Sequence, residues 1–349
     1  MHQPDLITTV NLESREGVPI APRWGTAAEE RWADAIGEAD PPTLVAAQRS
    51  PASDDKGSGG FGGQGPPKRK FLELINVAKT FTADGRRVEV LEKVSLDIPR
   101  NQFVSVIGHS GCGKSTLLTM IAGLEAPTAG SVCFLEREVT RPGPERAVVF
   151  QNHSLLPWRT VLANVQLAVD TVFPKLSRKE RRERAEHWLV KVGLKDHLHK
   201  YPHEISGGMK QRTGIARALA MEPQVLLLDE PFGALDALTR STLQDEVLRL
   251  HQEQHLTVFM VTHDIDEAVL CSDRVVMMDN GPRATIGRIL DITEPRPRER
   301  VAFMESPAFA HYRTECLRFL FWRKHGREPD SPQVSTEPVA PTGVLAISI

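Results

Sequence analysis

The sequence is poor in cysteine and tyrosine. Of its 349 residues, four are cysteine and two are tyrosine. Cys112, Cys133, Cys271 and Cys316 lie far apart in apolar segments, and no pair has the CxxC spacing of a zinc site. This excludes a zinc ribbon or a disulfide-stapled scaffold. We expect four small apolar side chains, mostly buried, in a reducing compartment.

A surplus of basic residues is also missing. The chain has 43 Lys and Arg against 45 Asp and Glu, which gives a formal net charge of -2 at pH 7. Proteins that are held on nucleic acid by neutralising phosphates usually carry a basic excess. We therefore expect no nucleic-acid partner.

Long apolar runs are absent as well. No stretch approaches the roughly 18 apolar residues that a membrane-spanning helix needs. The N-terminal residues lack the basic and then apolar pattern of a secretion signal. We therefore expect a cytoplasmic chain, which reaches a membrane only through a partner or a surface helix.

Residues 1–69 differ in composition from the rest of the chain. They include PASDDKGSGGFGGQGPPKRK, a segment too rich in Gly, Pro and Ser to bury enough apolar surface for a stable fold. A short helix over residues 23–39 would present Trp32 and Ile36, either to a partner or only transiently. We predict a disordered N-terminal arm over residues 1–69.

From Phe71 onward, the pattern of apolar residues predicts strands that alternate with helices. The segment FLELINVAKTF alternates apolar and polar residues, whereas FVSVIG, VLLLDE and TVFMVTH are short apolar runs typical of buried parallel strands. The segment SRKERRERAEHWLVKVGL predicts a helix, and its apolar side comprises Trp188, Leu189, Val192 and Leu194. The alternation predicts an α/β fold, in which helices cover both faces of a sheet and an antiparallel part lies near its start.

The stretch GHSGCGKST matches the pattern G-x-x-x-x-G-K-[ST] in full, between a predicted strand and a predicted helix. Its glycines let the backbone approach phosphate closely, and the following helix adds the positive end of its dipole. Lys114 would reach the β- and γ-phosphates, and the Ser115 hydroxyl would bind Mg²⁺. A chance glycine-rich turn is the alternative. We assign nucleotide binding to Gly108, His109, Ser110, Gly111, Cys112, Gly113, Lys114, Ser115 and Thr116.

The apolar run VLLLDE ends in two acidic residues. Asp229 would join the Mg²⁺ shell, and Glu230 would polarise a water for in-line attack on the γ-phosphorus. A buried structural acid pair is the alternative, but adjacent carboxylates are costly without a cation. Together with the glycine-rich loop, this pair predicts a nucleoside triphosphatase.

A second glycine-rich stretch, ISGGMKQR, begins at Ile205. Ser206 can cap a helix that starts near Gly207, and Gly208 would keep the approach to that helix open. Taken alone, it also fits a plain loop-to-helix junction. The stretch resembles the signature motif of the ATP-binding cassette (ABC) ATPases, which usually begins with Leu where this chain has Ile205.

Other marks of that family occur in the expected order. Phe81 resembles the aromatic residue that stacks on adenine, and Gln151 resembles the glutamine of the Q-loop. Asp236, in GALD, resembles the D-loop, and His263 resembles the switch histidine. The resemblance covers roughly residues 71–323. It implies a P-loop NTPase fold of the ABC-ATPase type, with a mostly parallel core sheet, an antiparallel β subdomain and a helical subdomain.

The resemblance also implies how the site works. Two cassettes pair head to tail, so that the first glycine-rich loop of one chain and the Ser206 helix of the other enclose one ATP with Mg²⁺. The implied catalytic residues are Glu230 and His263. The implied metal ligands are Ser115, Gln151 and Asp229. Nucleotide binding further involves Phe81, Gln151, Ser206, Gly207, Gly208 and Asp236.

The resemblance suggests three regions. After the arm, an ABC ATPase domain covers residues 70–295, and its helical subdomain lies at about residues 152–215. A C-terminal extension over residues 296–349 contains a helix at about 307–324 and a loose tail. This aromatic and basic helix would pack on its own domain or touch a membrane surface.

Within the family, the chain resembles the ATP-binding subunits of nitrate, sulfonate, taurine and related anion importers. The segment LLPW (residues 155–158) and the stretch over residues 200–240 carry this likeness. The segments PRPRER (residues 295–300) and HYRTECLRFL (residues 311–320) are most similar to the nitrate/nitrite branch, which includes bicarbonate and cyanate transporters. In an importer, the apolar LLPW loop would meet a membrane subunit; packing within the helical subdomain is the alternative.

The implied function is ATP hydrolysis that drives uptake of a small anion, and the resemblance favours nitrate or nitrite as that anion. The implied location is the cytoplasmic face of the inner membrane. The implied partners are a second ATPase subunit (identical or a paralogue), permease subunits and, indirectly, a periplasmic or lipoprotein solute-binding protein. Because the cassette does not bind the solute, sulfonate or taurine, cyanate and bicarbonate uptake stay open. Export and a soluble non-transport ABC ATPase are further alternatives.

Overall fold

The computed structural model of the chain describes residues 70–83 and 86–325. The predicted arm, with Trp32 and Ile36, and the end of the predicted tail lie outside the described residues. The strands are β1 (Leu72–Ala83), β2 (Arg86–Ile98), β3 (Phe103–Ile107), β4 (Ala129–Phe134), β5 (Arg137–Glu138), β6 (Arg146–Val149), β7 (Val225–Asp229), β8 (Thr257–Val261), β9 (Arg274–Met278) and β10 (Ile286–Asp291). The helices are α1 (Lys114–Ala122), α2 (Val161–Val172), α3 (Arg178–Lys191), α4 (Gly207–Leu219), α5 (Ala237–Gln254), α6 (Ile265–Cys271), α7 (Arg300–Met304) and α8 (Pro307–His325), with short 3₁₀ turns at Lys195–His197 and Pro202–Glu204.

A six-stranded sheet with the order β10–β9–β3–β8–β7–β6 forms the centre of the fold. Its strands are parallel except β10, which pairs antiparallel with β9 at one edge. This confirms the predicted mostly parallel core sheet. The loops after β3, β8, β7 and β6 therefore leave the sheet side by side, at its carboxyl edge.

Side chains of these strands alternate between two apolar cores. Phe103 and Ile107 face the core that contains the long helices α4 and α5, whereas Val104 and Val106 face the core that contains α1. Every residue of β3 and β8 is buried. Burial on both faces explains why these strands appear in the sequence as continuous apolar runs rather than as alternating ones.

A four-stranded antiparallel sheet, ordered β2–β1–β4–β5, covers the α1 side of the core. It confirms the predicted antiparallel part, although residues 86–98 form one long strand. Irregularities in register interrupt the pairing of β1 with β2 between Leu74 and Thr80. Phe81 follows them, opposite Val88 at the outer end of the pair.

Helices α2, α3 and α4 pack together beside the core sheet. The Ser177 side chain and Glu180 form a reciprocal capping box that starts α3. All four residues of the predicted apolar side, Trp188, Leu189, Val192 and Leu194, are buried. The boundaries of the helical subdomain stay a prediction, and α4 itself continues to Leu219.

The C-terminal extension packs back on the domain. The predicted helix at about 307–324 is α8, and it buries Phe309, Tyr312, Cys316 and Phe319 in the same core as α6. Its outer side exposes Leu317 and Phe321. Among the described residues, no helix is both long and apolar enough to cross a membrane.

Three of the four cysteines are buried, and Cys133 is half-buried. Burial raises the pKa of the Cys271 and Cys316 thiols to about 12. These thiols therefore stay protonated and act as small apolar groups, as the sequence predicts.

Candidate active site

The candidate site lies at the carboxyl edge of the core sheet. The glycine-rich loop follows β3, His263 follows β8, Asp229 ends β7 with Glu230 directly after it, and Gln151 follows β6. These strands are neighbours in the order β3–β8–β7–β6. Residues from four distant parts of the sequence therefore converge because of strand order.

The glycine-rich loop turns sharply before α1. Gly111 and Gly113 have φ values of 80° and 93°, in the left-handed region that favours glycine. At Gly113, a Cβ atom would lie 2.7 Å from the Leu91 side chain. Both the backbone conformation and the lack of space therefore require glycine at position 113. Helix α1 begins at the next residue, Lys114.

Lys114 is buried, and its ammonium group contacts two backbone carbonyl oxygens and, at 4.0 Å, the neutral Cys112 sulfur. Its Nζ donates to the carbonyl oxygens of Gly108, at 2.9 Å, and His109, at 3.0 Å. Among the described residues, no carboxylate lies within ion-pair distance of this ammonium group. A positive charge held by neutral acceptors can transfer to an anion such as phosphate without breaking a salt bridge.

His109 connects the loop to the C-terminal helix. Its Nε2 lies 3.0 Å from the carbonyl oxygen of Leu320, which is in the last turns of α8. The sequence predicts a nucleotide-binding role for His109 but does not predict this contact. No local pattern joins residues that are 211 positions apart.

Ser115 and Asp229 lie together, as predicted. The Ser115 hydroxyl donates to Asp229 Oδ1 at 2.9 Å. Burial raises the pKa of the Asp229 carboxyl, and the charge of Glu230 acts in the same direction, whereas Ser115 and Lys114 oppose the shift. A desolvated carboxylate beside a hydroxyl oxygen is a donor set that fits Mg²⁺, which takes one or two protein oxygens and completes its shell with water and phosphate.

Glu230 has a left-handed backbone, which is unusual for a residue with a side chain. Its φ is 45°, and its N–H donates to the Val261 carbonyl of β8 at 2.9 Å. The Glu230 carboxylate lies 3.3 Å from His263 Nδ1 and accepts from Gln151 Nε2 at 3.0 Å. His263 is 64% exposed at its side chain. These three predicted residues therefore form one polar cluster that is open to solvent.

The arrangement of Gln151 departs from its predicted role as a metal ligand. Its amide nitrogen faces Glu230, whereas a metal ion needs the amide oxygen. The metal role of Gln151 thus stays a prediction that requires the amide to turn. Across residues 70–83 and 86–325, no group of three or more His, Cys, Asp or Glu residues could hold a metal ion by itself.

A second group of predicted residues lies around the start of α4. Ser206 Oγ accepts from the Met209 N–H at 3.3 Å, which confirms the predicted helix cap. Asp236 caps α5 in the same way, by accepting from the Thr239 N–H at 3.0 Å. At Gly208, a Cβ atom would lie 2.4 Å from the Thr239 side chain. A side chain at position 208 would therefore crowd Thr239 of α5, so glycine favours close packing of α4 on α5, a reason that the sequence does not reveal.

Phe81 lies on the antiparallel sheet and is 39% exposed. Lys79 Nζ is 5.0 Å from the centroid of its ring, within the range of a cation–π contact. An exposed aromatic face of this kind can stack on a planar ligand. Its contact with adenine stays a prediction.

The comparisons with known proteins point in one direction. Residues 91–233 match the family model described as ABC transporter. The nitrate transport protein NasD of Klebsiella oxytoca is 56% identical over 254 residues, which cover 72% of this chain and 97% of that protein. The bicarbonate transport ATP-binding protein CmpD of a Synechocystis strain is 51% identical over 253 residues, which cover 72% of this chain and 90% of that protein.

The fold has a solved counterpart in the bacterial ABC transporter cassette MJ0796. It has been solved as a dimer, and in a post-hydrolysis state bound to ADP and Pi. The match to the dimeric structure has a TM-score of 0.58 and 33% identity, and it covers 64% of this chain and 100% of the other. On the combined likeness in sequence and fold, the chain belongs to the ABC transporter family of ATP-binding proteins and is an ATPase.

Proposed function

We propose that the chain is the ATP-hydrolysing subunit of a nitrate importer at the cytoplasmic face of the inner membrane. The observation that carries the proposal is the relatedness to NasD over nearly its whole length, at 56% identity. The cluster of Gln151, Glu230 and His263 beside the Ser115–Asp229 pair supports the enzymatic part. The work of such a subunit is to convert hydrolysis into movement of membrane partners.

Binding of the triphosphate falls to the glycine-rich loop. Lys114 exchanges its two carbonyl partners for β- and γ-phosphate oxygens, and the N-terminus of α1 adds backbone N–H groups. Ser115 and Asp229 would hold Mg²⁺, which supplies positive charge against the phosphates. Phe81 contributes the surface on which the adenine ring stacks.

Hydrolysis falls to the cluster around Glu230. Its carboxylate accepts a hydrogen bond from the attacking water and so orients that water toward the γ-phosphorus. His263 lies on the other side of the same carboxylate and contacts the γ-phosphate when the site closes. Gln151 starts the loop that leads to residues 155–158, so its position changes with that loop.

A second ATPase chain completes each site. The exposed cap at Ser206 and the adjacent Gly207 offer N–H groups to the γ-phosphate bound by the other subunit. Because these donors gain a partner only when ATP is present, they favour the closed pair with ATP over ADP. The dimer of the MJ0796 cassette supports a paired state.

The permease is proposed to dock on the LLPW loop. Trp158 is 66% exposed. The buried Asn164 fixes the backbone beneath it, because Oδ1 accepts from the Leu156 N–H while Nδ2 donates to the carbonyl oxygens of Leu156, Arg159 and Thr160. A rigid loop that exposes a large aromatic side chain is suited to a protein interface. A solute-binding protein would act on the permease from the other side of the membrane.

Bicarbonate uptake is the second candidate, favoured by the 51% identity to CmpD. The two are separated by assaying the full-length chain assembled with its permease and solute-binding protein in lipid vesicles. We expect nitrate to stimulate ATP hydrolysis severalfold and bicarbonate to have no effect. If only bicarbonate stimulates hydrolysis, bicarbonate is the substrate instead of nitrate. If neither anion stimulates hydrolysis, both substrate proposals are rejected.

A further inference from the structure

The arginines of the PRPRER segment have no role in the proposed function. Arg296 pairs with Asp273, and Arg298 donates to the Ser272 carbonyl oxygen at 2.7 Å. Both contacts attach the C-terminal extension to the turn before β9. Arg300, at the start of α7, points elsewhere and binds helix α5.

Arg300 makes a fixed, multidentate contact with α5. Nε and Nη2 donate to Asp245 Oδ1 at 3.0 and 2.6 Å, and Nη2 also donates to the Ser241 carbonyl at 3.1 Å. The remaining arm, Nη1, donates to Gln244 Oε1 at 3.1 Å. A planar guanidinium with three partners has little freedom to turn, so it fixes the Gln244 amide as well.

The hydrogen bonds that start at Arg300 form a path, and the Gln244 amide continues this path into the interior. Its Nε2 donates to Glu267 Oε1 at 3.2 Å, and the two residues are 4% and 5% exposed. The other carboxylate oxygen, Glu267 Oε2, accepts from the Thr262 hydroxyl at 2.7 Å. Thr262 directly precedes His263.

The path reaches the residue after His263 too. The Asp264 N–H donates to Thr262 Oγ1 at 3.0 Å, and Asp264 Oδ1 accepts from the Glu267 N–H at 3.1 Å. Thr262 and Glu267 therefore determine the backbone on both sides of His263. Within the part of the chain that the structure describes, the one cation within ion-pair distance of Glu267 is Arg240, whose Nε lies 3.9 Å from Oε1, beyond hydrogen-bond distance.

At every step of the path, a hydrogen-bond donor faces an acceptor. Arg300 can only donate, so the Gln244 oxygen must face it and the Gln244 nitrogen must face Glu267. Glu267 then accepts from the Gln244 amide and from the Thr262 hydroxyl. Because the Thr262 hydroxyl donates its proton to Glu267, its oxygen is available to accept from the Asp264 N–H. Reversing any link would leave a buried polar group without a partner, so the path has one stable arrangement.

We propose that Arg300 is a positioning residue for His263, acting through Gln244, Glu267 and Thr262. The proposal rests on the proposed role of His263 in hydrolysis. It assigns a function to the C-terminal extension, which fixes the switch histidine beside Glu230. Loss of Arg300 then impairs the chemical step more than the binding of ATP.

The test is steady-state ATP hydrolysis by the full-length chain. For Arg300→Gln we expect kcat to fall roughly threefold to thirtyfold, the range typical of coupling through a network, while KM for ATP changes less than about twofold. Arg300→Lys keeps a donor and should regain part of kcat. Arg313→Gln is the matched control, because Arg313 joins the same extension to Asp266 through an exposed ion pair that lies off the path.

Gln244→Leu interrupts the path at its middle and supplies a second variant if Arg300→Gln folds poorly. In the proposed arrangement, Arg300→Gln adds little to the effect of Gln244→Leu on kcat, because both changes break one path. Multiplying effects, or an Arg300→Gln effect no larger than that of Arg313→Gln, would overturn the proposal. His263→Ala separates a failure of the proposed site from a failure of the proposed path. If it hydrolyses ATP at the wild-type rate, the site assignment is wrong; if it is inactive while both path variants turn over normally, the path alone is wrong.

Discussion

Asp229 holds a charge where the protein disfavours it. The carboxyl is desolvated and lies next to Glu230, and its pKa is raised above the ordinary value for aspartate. A raised pKa means that folding without a bound cation stabilises the neutral form of this carboxyl relative to the charged form, compared with the unfolded chain. The residue that fits a metal ion is thus a cost to the fold when no ion is bound.

We expect Asp229→Asn to stabilise the nucleotide-free chain at pH 7 while abolishing ATP hydrolysis. Asparagine removes the desolvated charge and still accepts from the Ser115 hydroxyl, and a gain near 1 kcal/mol corresponds to a rise in Tm of about 2–4 °C. Thermal unfolding with and without ATP and Mg²⁺ measures this change. The exposed Asp196→Asn is the control and should leave Tm unchanged.

The same variant predicts a dependence on pH. The folded-state pKa of Asp229 is raised, so its destabilising effect is present at neutral pH and disappears as the pH falls through that raised value. The difference in Tm between Asp229→Asn and wild type should therefore shrink between pH 7 and about pH 4. A constant difference over this range would contradict the assignment of the effect to the Asp229 charge.

At this scale, the sequence predicts which residues carry the chemistry better than it predicts how they are held. Lys114, Ser115, Asp229 and Glu230 can be assigned from motif and spacing alone. The left-handed backbone of Glu230 cannot, because it depends on a hydrogen bond to β8, a strand that comes later in the chain. Local patterns contain no information about such a contact.

At the scale of elements, strands and helices could be predicted where the apolar residues follow one clear pattern, either a continuous run or a helical spacing. The buried strands β3, β7 and β8 and the helix α3 with its apolar side all follow from the sequence. Packing between elements was not predictable. The sequence predicts that Gly208 keeps a ligand's approach open, which stays a prediction, whereas its close contact with Thr239 of α5 is visible only in the structure.

The loop that precedes α2 leads to a prediction of its own. Trp158→Ala should weaken binding of the chain to its permease by about 1–3 kcal/mol, equivalent to roughly fivefold to 150-fold in Kd, because exposed aromatic side chains are frequent interface anchors. ATP hydrolysis by the chain without permease should not change. Titration of labelled chain into permease vesicles measures the affinity.

Val190→Ala is the matched control, since Val190 is an exposed apolar residue on α3 of the same helical region. It should bind the permease like the wild type. Equal losses for both variants would mean that the whole helical surface, rather than the fixed loop over Asn164, contributes to docking.

At the scale of the whole molecule, the two groups of site residues belong to separate surfaces. One contains Lys114, Asp229 and Glu230, and the other contains Ser206 and Gly207. Among the described residues, no hydrogen bond or ion pair joins the second group to the first. A head-to-tail pair of chains joins one surface to the other twice, by symmetry. Mixing of variants tests this directly.

We expect Ser206→Arg and Glu230→Gln each to be inactive, and their equimolar mixture to recover up to about one quarter of the wild-type rate. In a mixed pair, both defects fall in one composite site and the other site is intact. The control is the double variant mixed with wild type, in which each site of the mixed pair has one defect. Only the wild-type pairs are then active, so the rate should be about one quarter, rather than the about one half expected if each chain formed a site alone. ATPase assays of the mixtures, after subunit exchange, measure recovery; no recovery in the first mixture would contradict the two-chain site.

The contact between His109 and Leu320 has a practical consequence for anyone who prepares shortened versions of this chain. The carboxyl-terminal helix looks dispensable when only the family motifs are considered, since all of them end before residue 264. A chain that ended near residue 264 would lack Leu320, whose carbonyl oxygen contacts His109, the second residue of the glycine-rich loop. Expression boundaries and fusion junctions should therefore be set beyond His325, and kinetic data from shorter versions should not be taken to represent the intact protein.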